Sequence, residues 1–237
     1  MNRMNLWSTC SRSARWIGAI ALFSGCVLYA SLASATTISF SGTSSDGHAV
    51  SGTADFTLSA GSATIKLTNT TTSTHDAGEL FTGLDFTLGG LTPSLTSKTG
   101  IDRTVAGNGS FTDTGSAQNL TWSLVSLGSG SFQLNFNPDA TDAIIGPPSG
   151  GNYSGANNSI DGNNGHNPFV AEMATFVLSV PGLTANTSIA ATKFRFGTTL
   201  DPATGTTTVG SGPPSPEPST LVLMCLGLAT VAIRKRR

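Results

Sequence analysis

Leu120-Thr121-Trp122-Ser123-Leu124, then Gly128-Ser129-Gly130, then Phe132-Gln133-Leu134-Asn135-Phe136: apolar and polar residues alternate on either side of a glycine-rich break. Period-2 alternation puts successive side chains on opposite faces, which suits a half-buried strand and not a helix. Thr and aromatic residues favour that pleated setting. The break supplies turn residues. The stretch therefore reads as two strands joined by a turn, with Trp122 on the core face between Leu120 and Leu124, and Gln133 and Asn135 facing water.

The same rhythm recurs on both sides. Phe56-Thr57-Leu58, Ile65-Lys66-Leu67, Phe176-Val177-Leu178-Ser179-Val180 and Phe194-Arg195-Phe196 all read as strands, with Lys66 on the wet face. Gly89-Gly90, Gly107-Asn108-Gly109 and Gly146-Pro147-Pro148 punctuate them as turns. No internal repeat of fixed period is present, which argues against a solenoid or propeller. Many short strands with this punctuation predict an all-β body, a jelly-roll-like β-sandwich, over residues 36–212.

Charge is distributed unevenly along the 237 residues. Arg3, Arg12 and Arg15 lie at the front, and Arg234, Lys235, Arg236 and Arg237 at the back, leaving Lys66, Lys98, Arg103, Lys193 and Arg195 in the body. The body is mildly acidic with scattered cations, whereas polyanion binding needs clustered ones, so no nucleic-acid partner is expected. Cys10, Cys26 and Cys225 all lie in the terminal segments. The body thus has no disulfide, no thiolate metal site and no cysteine nucleophile.

The front reads as an export signal. Residues 1–15 are basic and free of acids, Trp16 to Ala30 is mostly apolar, and Ala33 and Ala35 supply the small residues that signal peptidase reads. The cut is placed after Ala35, so that residues 1–35 are a signal helix that is removed. The apolar run is shorter than the roughly 20 residues a membrane span needs.

The back reads as a spacer, a short apolar helix and a basic stop. Prolines at 213, 214, 216 and 218 make the spacer extended. Leu221 to Ile233 is apolar on every face, as a helix in a membrane or a core would be. The following Arg234-Lys235-Arg236-Arg237 favours a cytoplasmic end, with the body on the other side of the membrane. Pro216-Glu217-Pro218, the apolar run and the terminal basic cluster, in this order, resemble the PEP-CTERM sorting domain, which would occupy residues 213–237. The resemblance implies a substrate of exosortase, a membrane protease-transpeptidase of Gram-negative bacteria. It also implies transient insertion in the inner membrane, processing near the triplet and delivery to the cell surface or extracellular matrix.

One stretch breaks the strand rhythm. Ile144-Ile145-Gly146-Pro147-Pro148 leads into a long polar loop through Tyr153, Asn157, Asp161 and His166 to Phe169. Loops of this length are usually functional or folded on themselves. Its Gly-Pro-Pro, Tyr153, Asn157-Asn158-Ser159-Ile160 and His166-Asn167-Pro168-Phe169, with Phe196-Gly197-Thr198 later, are similar to a group of exosortase-dependent surface proteins of unknown biochemical role.

Within this loop Tyr153 is the exposed candidate for stacking on a sugar ring, whereas Trp122 belongs to the core. Asn157, Ser159 and Asp161 alternate as oxygen donors before Gly162, as at the start of a Ca2+ loop. Yet Pro168 stands where the closing glutamate would be, so an Asx-turn loop without a cofactor is the expectation. His75, Asp76 and Glu79 make a thin metal set. Glu79 and Glu172 show no acid/base spacing, and no nucleophile elbow is present. The expected protein is a non-enzymatic structural or adhesive component of the surface or exopolysaccharide layer. The alternative is a carbohydrate-binding module using the 146–169 loop, and a secreted hydrolase ranks third.

Overall fold

The computed structural model describes residues 33–136, 141–162, 165–199 and 201–211, with the backbone alone at 191, 192 and 211. Residues 1–32 of the 1–35 signal segment and the sorting tail from Pro216 to Arg237, with Leu221 and Ile233, lie outside the described residues, while Ser34 and Ala35, the last two residues before the expected cut, begin the first strand.

The described chain is all-β. Its strands are β1 (Ser34–Thr43), β2 (Ala49–Ser59), β3 (Ser62–Asn69), β4 (Phe81–Leu88), β5 (Ser94–Val105), β6 (Phe111–Asp113) and β7 (Gln118–Asn119). They continue with β8 (Ser123–Gly128), β9 (Ser131–Asn135), β10 (Ile144–Ile145), β11 (Phe169–Ser179), β12 (Ile189–Phe196) and β13 (Thr204–Ser211). Hydrogen bonding runs in the order β13-β1-β2-β3-β11-β10-β4-β9-β8, with β5 on β11 and β12 on β4. All pairs are antiparallel except β10 with β11.

This continuous sheet is folded over itself into two layers. Phe56 on β2 meets Phe86 on β4 at 6.0 Å between ring centroids, although their strands are not neighbours. Phe40 on β1 stacks on Phe194 of β12 at 5.2 Å. The alternation explains why. In β3 every second residue (Ala63, Ile65, Leu67) is fully buried while Lys66 stays outside. Each fully buried large side chain contributes about 1.5–3 kcal/mol, so the inward-facing set carries the fold. The short β10 joins the layers, pairing with β11 on one side and β4 on the other.

The opening stretch is partly as expected. Trp122 is fully buried, and its indole N–H donates to Asp142 O at 2.7 Å. Gly128, Ser129 and Gly130 have φ of 83°, 51° and 75° and turn β8 into β9. Two readings need correction. Residues 120–122 form no strand: β7 ends at Asn119 and β8 starts at Ser123, with Leu120 and Trp122 anchored between them. Gln133 does not face water. It is 8% exposed and donates to Asp85 at 2.9 Å, while Asp85 accepts two bonds from Arg195, at 2.9 and 2.7 Å. Four strands carry this row onward through Asn135 to Ser123, so polar side chains cover that face of β4 and leave no open side.

Gly146-Pro147-Pro148 is likewise no turn, but irregular chain between β10 and the Ser149–Asn152 bridge. A Cβ at Gly146 would lie 1.9 Å from the Thr71 carbonyl oxygen. Glycine is needed there for close backbone approach.

Candidate functional site

The 146–169 loop is held against the end of β5 by a polar cluster centred on Arg103. Arg103 is 5% exposed. Its guanidinium donates from Nε and Nη2 to the two Asp113 carboxylate oxygens, both at 2.7 Å. Nη1 donates to the Tyr153 phenol oxygen at 2.8 Å and to Glu172 Oε1 at 3.3 Å. The guanidinium carbon lies 4.2 Å above the Phe111 ring centroid, and Phe111 meets Tyr153 edge-on at 5.8 Å. This planar fork over an aromatic face is an arrangement arginine makes and lysine cannot.

Each member is placed by its strand. β6 pairs with β5 so that Arg103 faces Asp113 directly. Glu172 sits at an irregularity in the β5–β11 pairing, between Val170 and Ala174, with φ of 61°. Such a bulge redirects a side chain that regular alternation would point elsewhere. The Tyr153 hydroxyl in turn donates to Gly146 O at 2.7 Å, closing the loop's start onto its middle.

Burial penalises the guanidinium charge, but the bonds to Asp113 and Tyr153 outweigh it and hold Arg103 protonated. Burial also pushes the Tyr153 phenol up to about 12, against the opposing pull of Arg103.

Tyr153 is therefore not an exposed stacking residue. It is 1% exposed. The loop folds inward because its hydroxyl finds a donor and an acceptor there, which a buried tyrosine needs. The other loop residues part company. Asn157 Oδ1 accepts from Ser159 N at 2.8 Å and from its hydroxyl at 2.5 Å, an Asx turn. Asn157 Nδ2 donates to Asp76, and Ala77 N donates to Ser159 Oγ at 2.8 Å. Asn157 Nδ2 and Ser159 Oγ thus dock the loop onto the short 3-10 turn Ala77–Glu79 and its cap Asp76, while Asn157 Oδ1 is used within the loop. Asp161 and His166 are half-buried. Asp161 Oδ1 and His166 Nδ1 have no hydrogen-bond partner among the described residues. Tyr153 thus bonds to Arg103 and Gly146, and Asn157 to Ser159 and Asp76.

A second cluster surrounds that 3-10 turn. His48 lies 3.4 Å from Asp76 and 3.6 Å from Glu79, and Glu79 accepts from His75 N at 2.5 Å. Burial raises the Asp76 carboxyl. The bonds from Gly78 N and Asn157, with nearby His48, overcome this and hold it below the ordinary carboxylate value. Among the described residues no group of three or more His, Asp or Glu is arranged to hold a metal ion. Beside this cluster lies a shallow cleft of about 380 Å³, bordered by Ser41, Ser51, Thr70, Thr72 and Glu79.

Sequence reasoning missed Arg103, Asp113, Phe111 and His48. The available signal for Arg103 was rarity: it is one of two arginines in a cation-poor body, and a buried arginine is held by acids.

Residues 216–237 match the family model of the PEP-CTERM protein-sorting motif. The chain carries a PEP-CTERM sorting motif. The motif covers Pro216, Glu217, Pro218, the apolar run and the terminal basic cluster, and it implies an exported, cell-surface-directed protein processed by exosortase. No curated protein and no solved structure matches the chain. Among the described residues no helix is long and apolar enough to cross a membrane.

Proposed function

We propose that this PEP-CTERM protein is a non-catalytic structural or adhesive module of the cell surface or extracellular matrix, working within the exopolysaccharide layer. The observation that carries the reading is how the loop is used. Its tyrosine and Asn157 are spent on Arg103, Gly146, Asp76 and Ser159, pinning the loop to the body. A rigid body with a Ser-, Thr- and Gly-rich exterior and a sorting tail suits a module that is delivered and then persists.

The test is intact mass and fractionation of the native protein, with and without the host's exosortase. Loss of the segment after about Pro216, with surface or medium location, supports the delivery step. A full-length C-terminus in the inner membrane of both strains overturns it. The structural role is tested by removing the body while keeping both terminal signals. Matrix cohesion that is unchanged would overturn it.

Carbohydrate binding is the second reading, and the hydroxyl-lined cleft beside Glu79 favours it. That relocates the site from the 146–169 loop. Retention on a column of the host's exopolysaccharide, lost on Glu79→Gln or Thr72→Ala, would support it. Retention loss on Tyr153→Ala would report unfolding instead, because Tyr153 is core.

A further inference from the structure

Both ends of the described chain leave the body at the same pole. In the β1–β13 pairing Thr36 stands opposite Ser211, so the first residues of β1 lie beside the last of β13. The register carries this pole across the molecule. The β2–β3 turn is there, since Thr36 pairs with Phe56 and the turn follows directly beyond Leu58. The 179–189 connection bonds to that turn, Gly61 N to Leu183 O at 3.1 Å and Val180 N to Gly61 O at 2.9 Å. A Cβ at Gly182 would touch Leu91, and one at Gly130 would touch Gly90, which brings in the β4–β5 and β8–β9 turns.

These segments share a property that neither sequence nor fold requires. Residues 36–37, 59–62, 88–94, 127–131, 179–189 and 210–211 contain no Asp, Glu, Lys, Arg or His. Six acids, Asp46, Asp76, Glu79, Asp142, Asp161 and Asp201, lie in the connections of the opposite pole. The charges beside the uncharged pole are paired: Asp55, opposite Thr37, lies 3.3 Å from Lys66. Of the large apolar side chains left exposed, Leu127 (48%) lies at the uncharged pole and Val209 (71%) two residues from the end of β13.

The tail supplies the reason for such a face. Nine residues, 212–220, separate β13 from Leu221. Fully extended at roughly 3.6 Å per residue, the link from Ser211 to Leu221 spans at most about 36 Å. While Leu221–Ile233 is in a membrane, the body is tethered at this pole, which is the end of the body held within that reach of the lipid surface. Negative charge there would be repelled by anionic headgroups, whereas acids at the far pole lie beyond about one Debye length and are screened.

We propose that the uncharged pole is a docking surface for the lipid face of the membrane that holds the chain's own tail, orienting the body with its acidic pole outward. The proposal rests on the membrane reading of the tail.

The test uses the chain from Thr36 to Arg237, without the removed signal and with Cys225 replaced by Ser, and single cysteines at Ser129→Cys or Thr184→Cys at the uncharged pole. Thr72→Cys or Ser154→Cys serves at the acidic pole; all four positions are exposed. Each carries a bimane label, and the protein is mixed with phosphatidylethanolamine/phosphatidylglycerol vesicles containing a headgroup nitroxide quencher. Flotation is measured on the same samples. The expected result is co-flotation with several-fold stronger quenching at 129 and 184 than at 72 and 154. Adding Ser188→Glu and Thr92→Glu should weaken quenching at 129 and 184 without loss of flotation. Co-flotation with equal quenching at both poles overturns the docking surface while leaving the tail reading intact. Pole-selective burial that appears only when exosortase is present in the vesicles also overturns it, and assigns the pole to a protein partner. Failure to float overturns the tail reading, and the proposal with it.

Discussion

Arg103 Nη1 donates to the Tyr153 hydroxyl at 2.8 Å, across fifty positions of sequence, and that hydroxyl donates onward to Gly146 O at 2.7 Å. One phenol thus ties the end of β5 to both the start and the middle of the long loop. The bond adds to the loop's other anchors, among them Asn157 N to His75 O at 2.8 Å and Gly162 N to Val105 O at 3.2 Å.

Tyr153→Phe keeps the ring against Phe111 but removes the bridge. It leaves Gly146 O without its donor and one guanidinium N–H with the distant Glu172 alone. A loss of about 1–3 kcal/mol is expected. Urea unfolding of the body should show it as a lower midpoint with an unchanged slope. An unchanged midpoint would mean that water replaces the hydroxyl without cost.

Arg103→Met strands Asp113 and Glu172, both partly exposed, so the cost should be about 2–4 kcal/mol, below that of a fully buried pair. Arg103→Lys should recover roughly half or less, because an ammonium cannot span both Asp113 oxygens. Full recovery by lysine would show that charge alone matters.

Tyr153 is the sole tyrosine of the body, the other being Tyr29 in the front segment. Its phenol is pushed up to about 12 from an ordinary 10.0. A raised folded-state value adds stability that is complete below pH 10 and lost as pH rises through about 12. Phenolate absorbance of the body should therefore appear near pH 12 while folded, and stability should fall across pH 10–12. A titration centred at 10 in folded protein would contradict the burial.

Asp102 has one carboxylate oxygen buried without a partner, and burial with nearby Asp142 raises its carboxyl above the ordinary 3.8. A raised carboxyl has the opposite sign to a salt-bridged one: the native state binds the proton more tightly, so stability falls as pH rises through the raised value. Asp102→Asn should raise Tm at pH 7, and the gain should vanish as pH falls below 3.8. A lower Tm at pH 7 would show a role for the charge.

Gly146→Ala places a methyl 1.9 Å from Thr71 O, where backbone must move on both sides. About 3 kcal/mol or more should be lost. Wild-type stability in a thermal melt would mean that the two segments are not in contact.

The sequence by itself determined the strand content, the burial of Trp122 and the sorting tail. Alternation, turn glycines and the ordered triplet, apolar run and basic cluster are properties of contiguous residues, so each could be read without a partner. It also indicated that Asn157 would turn back on its own backbone, since that bond spans two residues.

Only the tertiary structure decided which face of β9 is wet and which way the loop tyrosine points. Gln133 looked solvent-facing because alternation marks two faces but does not say what covers the second; Arg195 and Asp85, from β12 and β4, cover it. Tyr153 looked exposed because its neighbours are polar, and its burial rests on Arg103 and Phe111 from strands fifty and forty-two positions away. The uncharged pole is of the same kind. Six separate segments without charge are ordinary in a Thr- and Ser-rich chain, and they become one surface only because antiparallel register brings the turns and both chain ends to the same end of the sandwich.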